Sequence, residues 1–226
     1  MKFSRQPIEQ TAPKISETIN NALYSGKTVL WLVCGGSNIS TQIAVLRLLC
    51  VDKPELLARL IILPMDERYG KSGHDDSNYH QLSKAGFNPG SARWYDVLGN
   101  NTPLAETVKY YATLVEDSFA ESQFVVGAFG LGADGHTAGI LPYSPAVTDT
   151  EVTVVGYETP EFTRMTITPS WLIRCDEAYV LAYGEAKTEA LRNLQEHTLP
   201  LQALPAGLLY GIADVTVYND CIGEKR

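Results

Sequence analysis

The chain has no long apolar run, no paired cysteines and no excess of positive charge, and each absence removes a class of protein. No stretch approaches the ~20 apolar residues that cross a bilayer. The first ten residues, MKFSRQPIEQ, hold no apolar leader core, so the expectation is a cytoplasmic protein with no membrane association. Cys34, Cys50, Cys175 and Cys221 are widely spaced and form no C-x-x-C pair, which reads as reduced thiols and no zinc site. Lys and Arg number 18 against 26 Asp and Glu, a formal net charge of −8. That balance argues against a non-specific nucleic-acid partner or an anionic membrane surface. It leaves room for a small anion, because one or two local cations and a helix N-terminus hold a phosphate. Neither the G-x-G-x-x-G spacing of a dinucleotide site nor the GK[ST] of a Walker loop is present, so a phosphorylated small molecule fits better than a nucleotide.

What is there is a chain of 226 residues, 45% apolar, long enough to bury a sizeable core. Mean hydropathy is close to zero. Without repeats, low-complexity segments or long linkers, it reads as a single domain over 1–226. Ile15, Ile19, Ala22 and Leu23 mark a helix over 13–25 that Gly26 stops. TVLWLVCGG then reads as a strand ending in glycines. Ile43, Leu46 and Leu49 mark a helix over 37–50. LIILP (60–64) is a buried strand, and a helix is expected over 76–85. Thr102 and Pro103 read as N-cap and first-turn residues of a helix with Leu104, Val108, Tyr111 and Val115 on one stripe. FVVGAFG and EAYVLAYG are buried strands, a helix covers 185–196, and DVTVYN is a last short strand. EVTVVGY and TRMTIT alternate in a way that suits an antiparallel pair. Apolar strands alternating with amphipathic helices mean an α/β fold with a largely parallel sheet.

Ligands in such folds gather at the carboxyl ends of strands, and four strand ends here carry chemistry. After the first strand, Gly35 and Gly36 permit close backbone approach, and Ser37 or Asn38 would cap the next helix. After the second come Asp66, Glu67 and Arg68. Such a triplet is usually a solvated charge cluster, yet Arg68 at a strand end could grip a phosphate or carboxylate bidentately. After the third strand, Gly130, Gly132 and Gly135 bracket Asp134 and His136. A neutral imidazole is a competent base, and a nearby carboxylate orients it and stabilises its charged form. The bland alternative is a loop histidine satisfied by a backbone carbonyl; His74, His80 and His197, in a polar loop and on expected helix surfaces with no partner visible, are read as outside the chemistry. After a later strand, Lys187 follows in YGEAKTEAL.

In combination these segments resemble the 6-phosphogluconolactonase family. GLGADGHTAGILP resembles its G-x-G-x-D-G-H-T-A-S-L-F-P signature and VCGGSN its G-G-S-T-P loop. MDERYG with DDSNYHQL, PEFTRMTIT, YGEAKTEAL and LPAGLL resemble further family segments, in order, over residues ~10–220. The resemblance implies a Rossmann-like sheet flanked by helices, with a small antiparallel addition. It implies hydrolysis of 6-phosphoglucono-lactone to 6-phosphogluconate in the pentose phosphate pathway, without metal or organic cofactor, by a monomer or homodimer. His136 would be the general base and Asp134 would orient it. Gly35, Gly36, Ser37, Arg68 and Lys187, with Arg164, would hold the phosphate, and Asp66 would face the sugar.

The chain departs from the pattern at Asn38-Ile39 for Thr-Pro, at Gly139 for serine, and at Ile140-Leu141 for Leu-Phe. Two other readings stand beside the lactonase. One is a glucosamine-6-phosphate deaminase/isomerase, whose signature places an acid five residues after the histidine, where Leu141 stands here. The other is a catalytically silent sugar-phosphate-binding protein. No second histidine or cysteine lies at metal-ligand spacing from His136. Lactone hydrolysis is therefore expected to survive exhaustive dialysis against a chelator; activity lost on dialysis and restored by zinc or magnesium would overturn this.

Overall fold

Residues 29–33 and 60–64 are apolar at every position because both faces of their strands are covered. The computed structural model describes residues 1–148 and 151–223, so the expected single domain over 1–226 includes five residues outside the described ones. The strands and α-helices run β1 (Lys2–Arg5), α1 (Thr11–Tyr24), β2 (Val29–Val33), α2 (Ile39–Leu48), β3 (Leu60–Pro64), β4 (Asp66–Arg68), α3 (Asn78–Lys84) and β5 (Arg93–Trp94). They continue as α4 (Leu104–Glu121), β6 (Phe124–Gly130), α5 (Pro145–Thr148), β7 (Val154–Glu158), β8 (Thr163–Ile167), α6 (Pro169–Leu172), β9 (Glu177–Ala182), α7 (Thr188–Glu196) and β10 (Asp214–Asn219).

Seven strands form one sheet in the order β1-β10-β9-β6-β2-β3-β5, with every neighbouring pair parallel. Alternate residues of each strand feed two cores. Leu30, Leu32, Ile61, Leu63 and Phe129 pack on the side of Tyr111, Val115 and Phe119 from α4 and Leu191 and Leu194 from α7. Val29, Trp31, Val33, Leu60 and Ile62 pack on the side of Ile15, Ile19 and Leu23 from α1 and Ile43 and Leu46 from α2. The layers are thus helix, sheet, helix. From β2 the chain moves towards one edge through β3 and β5, and from β6 towards the other through β9 and β10. Connections leaving a neighbouring pair in opposite directions open a crevice at its carboxyl ends.

A second sheet, β4-β8-β7, is antiparallel, with Asp66, Glu67 and Arg68 opposite Thr166, Met165 and Arg164. DER is thus a strand where a charge cluster was expected. Two edge strands, β1 and β5, also went unread in the sequence. Only Phe3 of β1 is buried, and β5 has two residues, so neither offers a period to detect. The helices expected over 37–50 and 185–196 each begin with a 3-10 turn, Gly36–Asn38 and Glu185–Lys187. Thr102 is not the cap of α4. Pro103 takes that position, and the Thr102 hydroxyl pairs instead with Thr107 Oγ1 at 3.0 Å.

Glu67 points away from Asp66 and is fully buried. Its carboxylate accepts from the backbone N–H of Arg68 (2.7 Å), Asn78 (2.6 Å) and Tyr79 (3.0 Å) and from the Ser77 hydroxyl (3.0 Å). It therefore fastens the start of α3 to β4. A glutamine there would turn an amide NH2 towards donors. Glu67→Gln is expected to lower stability by about 2–3 kcal/mol; an unchanged urea midpoint would show that the carboxylate does not anchor the helix.

Candidate active site

The crevice is built from four chain segments that leave the sheets. At the end of β2, Gly36 takes a left-handed φ of 70°, and a Cβ on Gly35 would lie 1.9 Å from Asn78 Oδ1. Both turn residues are confined to glycine, one by conformation and the other by space. Neither Ser37 nor Asn38 caps α2 through its side chain. The Asn38 amide is buried and turned inward, where Nδ2 donates towards Phe129 O (3.5 Å) of β6 and Leu181 O (3.4 Å) of β9. Gln42 completes the strand end by accepting from Cys34 N (2.9 Å) and donating to Cys34 O (2.6 Å). Burial pushes the Cys34 thiol up to about 12.

At the end of β6 the chain closes on itself, with Gly132 N donating to His136 O (2.8 Å) and Gly135 N to Gly132 O (3.0 Å). The imidazole Nδ1 lies 2.6 Å from Asp134 Oδ1. The hydrogen bond from His136 pulls the Asp134 carboxyl down to about 2, so above about pH 4 it is an acceptor only. Nδ1 therefore carries the proton of the neutral ring, and Nε2 presents its lone pair. A Cβ on Gly132 would come within 2.1 Å of Nδ1, so this contact requires glycine. Beyond the histidine, Ala138 adopts a left-handed φ of 49° in a turn closed by Ile140 N to Thr137 O at 3.0 Å.

The second sheet supplies the opposite wall. Asp66 and Arg68 share one face of β4, and Arg164 lies directly across from Arg68 on β8. Burial pushes the Asp66 carboxyl up, against the pull of Arg68 and Arg164. Arg164 Nη1 is 3.8 Å from Asp66 Oδ2, and Arg68 Nη1 donates to Asp76 O at 2.9 Å. The Nε groups of both arginines are buried without a hydrogen-bond partner. The same sheet grips the turn after His136. Gly139 N donates to Thr166 Oγ1 (3.2 Å), and Tyr157 Oη donates to Gly139 O (2.5 Å). A Cβ on Gly139 would meet Asp66 Cβ and Thr166 Cβ at 2.9 Å. Serine in that position would have to push the sheet away, which accounts for the departure seen in the sequence. From the end of β9, Lys187 reaches in and donates to Leu131 O. Burial lowers its ammonium pKa.

Gly35, Gly36, Ser37 and Asp66 line one cleft of about 220 Å³ together with Arg68, His136, Arg164 and Lys187. Asp134 is not on its wall but holds His136 from behind. The sequence reading missed Asn78, Leu131 and Ala138, which also line it. Asn78 lies in the DDSN segment, where a buried asparagine at a helix start was the available signal. The other histidines lie elsewhere. His74 bonds Arg68 O (2.9 Å), His80 faces Asp75 (3.8 Å), and His197 stacks on Tyr210 with ring centroids 3.8 Å apart. Among the described residues, no group of three or more His, Cys, Asp or Glu side chains is placed to hold a metal ion. No helix among them is long and apolar enough to cross a membrane.

Residues 4–216 match the model of a family described as glucosamine-6-phosphate isomerases/6-phosphogluconolactonase. A probable 6-phosphogluconolactonase of Dictyostelium discoideum is 26% identical over 90% of this chain and 89% of that one. Another probable 6-phosphogluconolactonase, from Arabidopsis thaliana, is 29% identical over 70% of this chain and 66% of that one. Among solved structures, 6-phosphogluconolactonase from Thermotoga maritima superposes with a TM-score of 0.79 at 18% identity, covering 96% of this chain and 97% of that one. A monomeric glucosamine-6-phosphate deaminase superposes with a TM-score of 0.76 at 21% identity, covering 97% of each chain. At these identities the superpositions show the fold, which the two activities share.

Nitrogen-15 NMR of the neutral His136 ring is expected to find the proton on Nδ1. Asp134→Asn, which removes the charged acceptor, should return a substantial share of it to Nε2. A wild-type ring already protonated on Nε2 would show that Asp134 does not set the tautomer.

Proposed function

Because this chain belongs to the glucosamine-6-phosphate isomerase/6-phosphogluconolactonase family, we propose that it hydrolyses 6-phospho-D-glucono-1,5-lactone to 6-phospho-D-gluconate, a cytoplasmic step of the pentose phosphate pathway. The observation that carries this reading is the meeting in one cleft of an oriented imidazole with three cations, Arg68, Arg164 and Lys187. The cations suit a phosphate, and the imidazole suits a water that must lose a proton.

Nε2 of His136 takes a proton from water as its oxygen attacks the lactone carbonyl carbon. Asp134 stabilises the imidazolium so formed. The tetrahedral intermediate collapses with cleavage of the bond to the ring oxygen, which takes the proton back from Nε2. The product is an open-chain carboxylic acid, which ionises. Asp66 accepts from sugar hydroxyls. The phosphate rests on the Gly35-Gly36-Ser37 turn between Arg68, Arg164 and Lys187. Fixing the far end of the substrate in this way turns an encounter with water into an oriented reaction. No metal or organic cofactor takes part in these steps.

The deaminase reading is weaker at one position. Leu141, five residues past His136, packs against the apolar core where that chemistry places an acid. A coupled assay with 6-phosphogluconate dehydrogenase, corrected for spontaneous hydrolysis, tests the activity. Ammonia release from glucosamine 6-phosphate without lactone turnover would favour the other reading.

His136→Ala is expected to keep the fold and lose about 10²- to 10⁴-fold in kcat; a folded variant with wild-type kcat would remove His136 from the mechanism. Lys187→Ala is expected to cost roughly ten- to hundredfold in kcat/KM on the phosphorylated lactone, mostly through KM. The unphosphorylated lactone should be a poor substrate for both proteins and show little further loss. Equal proportional loss on the two lactones would mean that Lys187 does not read the phosphate.

A further inference from the structure

Arg68 and Arg164 stand directly opposite each other across the β4–β8 pair. Like charges in that arrangement repel, and the compensation visible around them is small. Asp66 is 3.8 Å from one Nη1 of Arg164, and Arg68 has a backbone carbonyl. The contact the two share is Phe162. Its ring centroid lies 5.4 Å from the guanidinium carbon of Arg68 and 5.5 Å from that of Arg164. The negative ring face attracts both cations.

The chain fixes Phe162 with care. It ends the hairpin between β7 and β8, where Thr159 N donates to Phe162 O (2.8 Å), Thr159 Oγ1 donates to the same oxygen (2.7 Å), and Phe162 N donates to Thr159 Oγ1 (3.0 Å). Pro160 sets the backbone between them. Phe162 is not on the cleft wall, while both arginines are. The ring therefore works on the cleft through the arginines. Three cations and one buried carboxylate line that wall, and the two arginine Nε–H donors are unspent.

We propose that Phe162 is a positioning residue for phosphate recognition, holding Arg68 and Arg164 side by side as a two-pronged clamp for a phosphomonoester dianion. The identity of the sugar rests on the lactonase reading; the clamp itself requires only the phosphate. Phe162→Leu removes the ring face and keeps an apolar side chain, and Phe162→Trp restores a ring face. Thermal melts establish that each variant is folded.

Calorimetry with inorganic phosphate at mildly alkaline pH, where the dianion predominates, reads the clamp directly. Kinetics on the phosphorylated and unphosphorylated lactones read its use. Phe162→Leu is expected to weaken phosphate binding and raise KM for the phosphorylated lactone by about three- to tenfold each. Its kcat should stay within about twofold, and the unphosphorylated lactone should be unaffected. Phe162→Trp is expected to bind phosphate like the wild type. Wild-type phosphate affinity in Phe162→Leu, equal loss on both lactones, or a tryptophan variant as weak as the leucine one would each overturn the proposal. If the wild type turns over no lactone, the functional reading fails, and the calorimetry still decides the role of Phe162.

Discussion

Strands β2 and β6 lie side by side and parallel while the chain leaves them towards opposite edges of the sheet, and the cleft depends on this divergence. Backbone leaving a strand end has unpaired N–H and C=O groups that need partners. Here the two departing turns can neither pair with each other nor be covered by a common connection. Buried amides do that work instead. Gln42 satisfies both backbone groups of Cys34, and Asn38 spans the carbonyls of the neighbouring strands. The turns are then free to face the cleft, and glycines keep them narrow.

The small antiparallel sheet is more than an addition to the fold. One face of β4 and β8 carries the arginines and Asp66, and the same sheet holds the turn after His136 through Thr166 and Tyr157. Two of the cations suited to binding an anion and the turn that follows the histidine suited to moving a proton are thus held by one sheet. Glu67 ties that support to α3 from behind, and Asn78 at the start of α3 packs on the Gly35 turn. Packing of this kind keeps reactive groups within the few tenths of an ångström that chemistry tolerates.

Legibility in the sequence followed periodicity and burial. The central strands were plain because two covered faces demand unbroken apolar runs, as in 29–33 and 60–64. The long helices were plain because one stripe is apolar, as at Tyr111 and Val115 of α4. β4 was not, because its alternation is between a buried cleft carboxylate and a buried helix anchor, and both are charged. β1 and β5 are too short to show a period. At the cleft, glycines beside acids, bases and cations marked the strand ends. What the sequence could not carry was direction. Asn38 looked like a helix cap and points into the sheet, and nothing in the string of letters says that Arg68 and Arg164 face each other over one aromatic ring.

The inward amide of Asn38 also restricts how such a chain can drift. Its Nδ2 would lie 3.2 Å from any Cβ placed on Gly130, with the Cys34 sulfur 3.9 Å from the same point. A larger residue at 130 would crowd the amide, and a residue without a donor at 38 would lose the contacts to the Phe129 and Leu181 carbonyls. Positions 38 and 130 therefore constrain each other: a side chain at 130 is accommodated only if the amide at 38 gives way by a few tenths of an ångström.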